Sequence, residues 1–391
     1  MTVSINPANI PLSLYVHLPW CVRKCPYCDF NSHQRPAALP EDAYVDALIA
    51  DLALEAPLAL GRPLESIFFG GGTPSLFSAR GIGRILDAVR ASLRLQPTCE
   101  ITLETNPGTA EFDRFEGYLG AGVNRLSFGM QSFDDDKLKR LGRIHGADEA
   151  RSAYVMARKA GFDNINIDLM YGLPGQSVAQ AVRDLRTALA LEPEHLSHYQ
   201  LTLEPQTVFA RTPPTDLPDE EALADMLDEC QPLLAAASFE HYEVSAYAQA
   251  GKRSRHNENY WLFGDYLAVG AGAHSKVSAA DGQVRRRVRQ RTPSFYLQQA
   301  GSSRAWSEDR NVEQHELGFE FMLNALRLKQ GFAEQLYRQR TGRQLESEAG
   351  YRRALSLDLL QHEKGRVQVS ELGFRFLNDV IAGFLPDTAT S

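Results

Sequence analysis

The sequence predicts an α/β protein: a (β/α) barrel followed by a smaller, mainly helical, winged-helix-like C-terminal unit. Three observations carry that expectation. Apolar runs and helical patterns alternate through the first two hundred residues. Nearly every apolar run ends in glycine, amide or charged residues. Beyond Pro205 the rhythm stops and the composition changes. Strands that alternate with helices of about ten to fifteen residues indicate a parallel sheet with helices outside.

The apolar runs lie at 13–19, 66–72, 100–107, 125–132, 164–174 and 195–205, and read as strands apolar on both faces. Helical patterns separate them at 41–55, 79–93, 111–119, 148–160 and 178–191. Such a series suits either a doubly wound sheet or a barrel. The strand ends favour the barrel. Cys21 follows the first run, Gly70 to Thr73 the second, and Glu104 to Pro107 close the third. Gln131 with Ser132, Asp168, and Glu204 with Pro205 continue the series. Barrel loops at the C-terminal mouth build the active site from many strands, whereas a doubly wound sheet gathers such residues at one switch point.

After Pro205, a proline-rich stretch at 212–218 leads into a helix at 219–236 and an alternating strand at 241–247. Residues 251–273, rich in Gly, Asn, Tyr and Trp, read as irregular structure draped over a site. Residues 285–291 alternate in strand fashion, and from about 311 the chain reads as helical with a short strand at 366–370. The two units are expected at 1–300 and 301–391.

A net charge of -8 argues against a non-specific nucleic-acid binder, which needs a basic field. The opening MTVSINPANIPLSLYV has neither the basic start of a signal peptide nor an apolar run long enough to span a membrane. A cytoplasmic protein is expected. The cysteine count of five is odd, and three fall within eight residues, which points to metal chemistry rather than a disulfide scaffold. Cys99 and Cys230 stand alone and read as small buried hydrophobes.

Cys21, Cys25 and Cys28, spaced by three and then two residues, let one loop wrap three thiolates round one inorganic centre. Ordinary [4Fe-4S] sites use four cysteines, so three leave one iron open for S-adenosylmethionine. Arg23, Lys24 and the loop amides are expected to favour the thiolates. A structural zinc site with His33 as fourth ligand is the plain alternative. The place of the cysteines after the first strand, with GGGTP after the second, favours the cluster.

Glycines at 70–72 let a backbone approach a ligand closely, so Gly71, Gly72 and Thr73 are candidates for its amino and carboxylate groups. Glu104, Gln131, Arg143 and Asp168 are the next polar residues on or after strands. Ribose hydroxyls and a sulfonium would partner such buried carboxylates, and an internal Glu104–Arg143 salt bridge is the bland alternative. His256, in HNENYW, could ligate a metal or haem beside Tyr260 and Trp261, or could simply start a helix packed by Trp261. His274 is a weaker candidate of the same kind. Arg285, Arg287, Arg289 and Arg291 share one strand face. That stripe reads as a charged edge strand, with carboxylate pairing, such as porphyrin propionates, as the functional alternative.

Taken together, residues 15–21 (YVHLPWC), 25–30 (CPYCDF), 70–74 (GGGTP), 104–107 (ETNP), 138–145, 168–174 and 256–261 resemble the radical S-adenosylmethionine superfamily. More narrowly, they resemble the HemW haem-chaperone family, over essentially the whole chain. The resemblance implies a partial (β/α)6 radical SAM barrel with a C-terminal domain. It implies cluster ligation by Cys21, Cys25 and Cys28, and S-adenosylmethionine contacts at Tyr15, Tyr27, Gly71, Gly72, Thr73, Glu104, Gln131, Arg143 and Asp168. His256 carries over as the histidine of the haem-associated HNxxYW motif. The implied role is to hold haem and pass it to apo-haemoproteins, respiratory ones among them, as a homodimer near the membrane. The oxygen-independent coproporphyrinogen III oxidase of the same superfamily is the alternative. It carries a CxC extension where Phe30 stands here, and a longer segment than the fourteen residues before Tyr15. Both departures argue against decarboxylase activity.

Overall fold

The computed structural model describes residues 5–109 and 112–386, and Glu111 of the expected third helix lies outside them. Six strands lie side by side and parallel: β1 (Leu12–Leu18), β2 (Leu64–Gly71), β3 (Leu95–Thr105), β4 (Arg125–Gln131), β5 (Ile165–Tyr171) and β6 (His195–Gln200). Helices α1 (Glu41–Glu55), α2 (Ala79–Ser92), α3 (Phe112–Ala121), α4 (Asp135–Arg140), α5 (Ala147–Lys159) and α6 (Val178–Leu189) make the crossovers. Their starts are chemically marked. Ser78 accepts the Gly81 N–H before α2, and Ser177 with Gln180 forms a capping box before α6, each cap contributing about 1 kcal/mol.

The strands are not apolar on both faces. Leu14, Val16, Ile67, Phe69, Ile101, Leu103, Leu126, Phe128, Ile165 and Ile167 are buried in the apolar core that the helices share. The residues between them turn inward and are mostly polar. Enclosed polar groups raise the mean polarity little over a short run, which is why strict alternation was not expected.

After α7 (Val208–Arg211) and α8 (Glu220–Ala236), the expected strand at 241–247 is instead a hairpin. Its arms, β7 (Glu240–Glu243) and β8 (Ala246–Ala248), meet at a turn, and β8 pairs antiparallel with β6. The segment expected to be irregular holds α9 (Arg255–Trp261) and β9 (Asp265–Val269), a seventh parallel strand beside β1. Its opening Asp265 is fully buried and paired with Arg62 at 2.7 Å and Lys276 at 3.0 Å. A charged residue inside a buried strand disguised it in the sequence.

Strands β10 (His274–Ser278), β11 (Val284–Arg289) and β12 (Trp306–Asn311) extend the sheet antiparallel, with α10 (Pro293–Gln299) between the last two. The twelve strands run β12-β11-β10-β9-β1-β2-β3-β4-β5-β6-β8-β7, so β7 and β12 are edges and the barrel stays open. The arginine stripe is no edge, because β11 pairs on both sides. Arg289 is buried against Asp51 and Glu55 of α1, each at 2.8 Å, and Arg287 reaches Glu55 at 3.1 Å. Those acids already hold the arginines.

The C-terminal part runs α11 (Leu317–Ala325), β13 (Phe332–Ala333), α12 (Glu334–Thr341), α13 (Ala349–Ser356), β14 (Leu360–Glu363), β15 (Arg366–Val369), α14 (Glu371–Arg375) and α15 (Leu377–Ala382). This is the element order of a winged helix, with a small sheet β13-β15-β14. Phe321 sits edge-on to Phe332 and Tyr337 at its centre, in a core that also takes Ile5, Ile10 and Phe263.

Candidate functional site

The inward side chains of the parallel strands enclose a cavity of about 570 Å³. Register stacks them in layers. Tyr15 lies beside Phe68, Glu104 beside Ser127, Ser127 beside Asn166, and Asp168 beside Ser197. Every candidate cluster and cofactor residue lines this one cavity: Cys21, Cys25 and Cys28 at the mouth, then Tyr15, Tyr27, Gly71, Gly72 and Thr73. Glu104, Gln131, Arg143 and Asp168 complete the wall, and His256 lines it too. His274 lies instead in an adjoining pocket with Arg291 and Asn31.

The cysteine loop is tied to the glycine turn through the backbone. Gly72 N–H donates to Leu18 O and Thr73 N–H to Trp20 O, both at 2.8 Å, while Arg35 N–H holds Cys21 O at 2.8 Å. The fit is tight: Gly71 has φ +117°, and a Cβ there would meet the His17 ring at 2.6 Å. At Gly72 a Cβ would fall 2.6 Å from Trp20 O. Only glycine fits this turn.

Arg143 Nη1 stands 3.7 Å from Cys25 Sγ, and Cys28 Sγ lies 3.5 Å from Ser32 Oγ. The Lys24 ammonium donates to Phe30 O at 3.0 Å. Burial, the dominant influence, pushes the Cys21 thiol up to about 11 and raises that of Cys28 as well, so the loop's cations do not by themselves hold these thiolates. Among the described residues no three of His, Cys, Asp or Glu converge as round a single metal ion. His33 is turned to Asn31, 3.2 Å away, rather than to a Cys3His site. A four-iron cluster takes one thiolate per iron, so three cysteines on one loop that do not close round a single ion remain compatible with it. Cys99 and Cys230 are buried and free, their thiols pushed by burial to about 12 and about 11.

The alternative Glu104–Arg143 bridge is not formed. Glu104 accepts the Gly71 N–H at 3.2 Å, and Arg143 Nη2 donates to Gly129 O at 2.5 Å. Burial, reinforced by Asp168, pushes the Glu104 carboxyl up to about 8. Asp168 is raised too by burial, although Asn166 donates to it at 2.7 Å. Neither carboxyl has an ion-pair partner among the described residues, although the Arg125 charge acts on Asp168 from a distance, and such a pair suits a cationic or hydroxyl-bearing ligand. Gln131 sits at φ +70° on a bulge of β4, its Oε1 accepting from Tyr199 OH at 2.7 Å. Such strain clusters where a ligand is gripped.

His256 lies in the first turn of α9, capped by Ser254, so the helical alternative for this segment describes its backbone. Its ring stacks on Phe68 at 4.9 Å and shares a hydrogen bond through Nδ1 with Ser66 Oγ at 3.3 Å, leaving Nε2 for a ligand. Burial, then the nearby Arg125 charge, depresses its pKa to about 3, so the imidazole is neutral.

Sequence reasoning missed Arg125, Ser127, Asn166, His195, Ser197 and Tyr199, all on the cavity wall. The signal was present: polar residues recur at alternate positions of β4, β5 and β6, interrupted only by Gly129 and Met170. Among the described residues no helix is long and apolar enough to cross a membrane.

Residues 15–188 match the family described as the Radical SAM superfamily, and residues 312–376 match the HemN C-terminal domain. Superfamily membership implies a [4Fe-4S] cluster and S-adenosylmethionine. The chain is 44% identical to "Heme chaperone HemW" of Haemophilus influenzae, over 97% of this chain and 100% of that one. It is 51% identical to "Heme chaperone HemW" of Escherichia coli, over 81% and 83% respectively. In structure it is similar to the coproporphyrinogen III oxidase HemN of Escherichia coli, with a TM-score of 0.81 over 96% of this chain and 90% of that one. At 24% identity that likeness speaks for the fold, a radical SAM barrel. Matched along nearly its full length by relatives of one kind, the chain belongs to the HemW haem-chaperone family of radical SAM proteins.

Proposed function

We propose that this protein is a radical SAM haem chaperone: it holds a [4Fe-4S] cluster and S-adenosylmethionine at the cavity mouth, binds haem, and passes it to apo-haemoproteins. The observation that carries the reading is the single cavity shared by the cysteine loop, the glycine turn, both raised carboxyls and His256. Cys21, Cys25 and Cys28 would ligate the cluster. Gly71, Gly72 and Thr73 would present backbone to the methionyl group, with Tyr15, Tyr27, Gln131 and Arg143 round the remainder. Glu104 and Asp168 would take the cationic and hydroxyl groups that their burial calls for. When bound together, the cluster and S-adenosylmethionine supply reductive cleavage of a carbon–sulfur bond. His256, neutral and with Nε2 unbonded, suits a haem iron.

The relatives' name supports haem and haem-protein partners. A division near residue 300 belongs to the same reading, supported by the separate apolar core gathered round Phe321. The homodimer, respiratory acceptors and a cytoplasmic, membrane-peripheral setting come with the family resemblance, and sedimentation of the cluster-loaded protein tests the first. The alternative is oxidative decarboxylation of coproporphyrinogen III propionates. Against it stands Phe30, an apolar side chain 61% exposed at the cavity rim where the oxidase carries its extra cysteine.

Absorbance titration with haem tests the proposal. Wild type is expected to bind with a stoichiometry near one per chain, and His256→Ala to lose affinity and change the Soret band. An identical affinity and spectrum in His256→Ala would remove His256 as a ligand.

A further inference from the structure

The cavity's inner end holds a guanidinium that the cofactor reading does not use. Arg125 opens β4, is 2% exposed and lines the cavity. Among the described residues its one hydrogen bond is a long contact from Nη1 to Thr102 Oγ1 at 3.5 Å, and Nε has no partner. The nearest acid, Glu100, keeps Oε2 4.0 Å from Nε. Its Oε1 is already occupied, accepting the backbone N–H groups of Arg255 at 3.1 Å and His256 at 3.4 Å. A guanidinium carries five donors in a fork shaped for a carboxylate. Buried charges are normally paired, and this one has most of its donors unused.

The surroundings select what could fill them. His195 is neutral, held by Asn166 at 2.6 Å and Tyr242 at 2.8 Å, and His256 is neutral as well. Asp168 is occupied by Asn166 and Ser127. Among the described residues Glu100, at the 4.0 Å limit, is the one acid within ion-pair reach of Arg125, and Asp168 feels its charge only from farther off. The glycine turn lies at the opposite, C-terminal ends of the parallel strands. Arg125 and Gln131 are the two ends of β4, and six residue steps span roughly 20 Å at ~3.3 Å each. Phe68 stacks on His256 at 4.9 Å, and Tyr260 and Trp261 line the same cavity, giving it an aromatic wall.

We propose that the inner end of the cavity is a carboxylate site, anchored by Arg125, that receives a propionate arm of haem. This rests on the haem reading above and adds to it how the cargo is oriented: propionate on Arg125, macrocycle against the aromatic wall. Arg125 is a binding residue in this account, and Thr102 positions it.

The test compares haem with its dimethyl ester, in which both propionates are neutral, on the cluster-loaded full chain. Wild type is expected to bind the free acid about 10- to 100-fold more tightly than the ester, the range of a charge-assisted bidentate pair. Arg125→Gln is expected to lose that preference with ester affinity unchanged, and Arg125→Lys, which keeps the charge, to retain part of it. S-adenosylmethionine affinity stays at the wild-type value in both. Equal wild-type affinity for acid and ester overturns the proposal even if neither variant folds. So does an Arg125→Gln variant that keeps the full preference, or one that weakens both ligands equally, as a purely structural Arg125–Glu100 pair would. Weakened S-adenosylmethionine binding with the haem preference intact would give the site to that cofactor's carboxylate and overturn it too. If wild type binds neither haem nor ester, the chaperone reading itself falls, a result distinct from equal binding of both.

Discussion

Glu104 and Asp168 share an enclosed wall, with no ion-pair partner for either among the described residues, and that arrangement has a measurable consequence. Glu104 keeps its proton up to about pH 8, by burial first and Asp168 second. A sulfonium ligand favours the carboxylate, so its binding releases that proton and strengthens as pH rises toward 8, by at most about tenfold per pH unit. Glu104→Gln should bind S-adenosylmethionine more weakly and with a flat pH profile between 6 and 8; an unchanged slope in calorimetry would assign the proton elsewhere. The sign for stability is the reverse. The native carboxyl holds a proton that the unfolded chain sheds near its ordinary value, so this group lowers stability as pH climbs toward 8. At the mouth, Cys25→Ala should yield protein without the iron, sulfide and brown absorbance of wild type, and a variant that kept all three would sink the ligand assignment. These residues were legible in the sequence because motif spacing carries their chemistry. Arg125, Asn166 and His195 were not, because short strands rich in Ile, Leu and Phe look apolar on both faces and hide their inward polar positions.

At the level of elements, most boundaries followed from periodicity and caps, and the failures share a cause. Arg287 and Arg289 read as solvated because their partners, Asp51 and Glu55, lie more than two hundred residues away on α1. Asp265 hid β9 in the same way, through partners on other elements. Distant pairing is invisible to local pattern. Tyr296 OH also donates to Asp51 at 2.7 Å, so α1, β11 and α10 meet on one buried network. Removing one charge leaves the others uncompensated, at about 3–5 kcal/mol. Arg289→Ala should lose about that much in urea unfolding, and a loss below about 1 kcal/mol would show that water or rearrangement satisfies the acids. The glycine turn offers a sharper contrast between fold and site. Gly71→Ala forces a Cβ onto the His17 ring at φ +117°, with a strain of about 1–3 kcal/mol. The variant should stay folded by circular dichroism yet bind S-adenosylmethionine at least about tenfold more weakly. Wild-type affinity would mean that the turn is not part of the cofactor site.

For the whole molecule, an open barrel with polar residues lining its inner face makes one continuous chamber from the cysteine loop to α9. Its overall class was readable from the alternation of strands and helices. The openness came only with the family resemblance to a partial barrel and not from periodicity, since it depends on β9 joining β1 and on β8 pairing with β6. Nor was the contribution of Ile5, Ile10 and Phe263 to the C-terminal core, which joins the chain's two ends. The chamber can hold an intact cluster and cofactor site whose reaction is not that of its structural neighbour, because a fold hosts many chemistries. Anaerobic incubation of the cluster-loaded protein with coproporphyrinogen III, S-adenosylmethionine and reductant tests this most directly, with haem binding measured on the same preparation. Haem bound and coproporphyrinogen III unconsumed is the expected outcome. Accumulation of protoporphyrinogen in that mixture would contradict it and make the protein a decarboxylase.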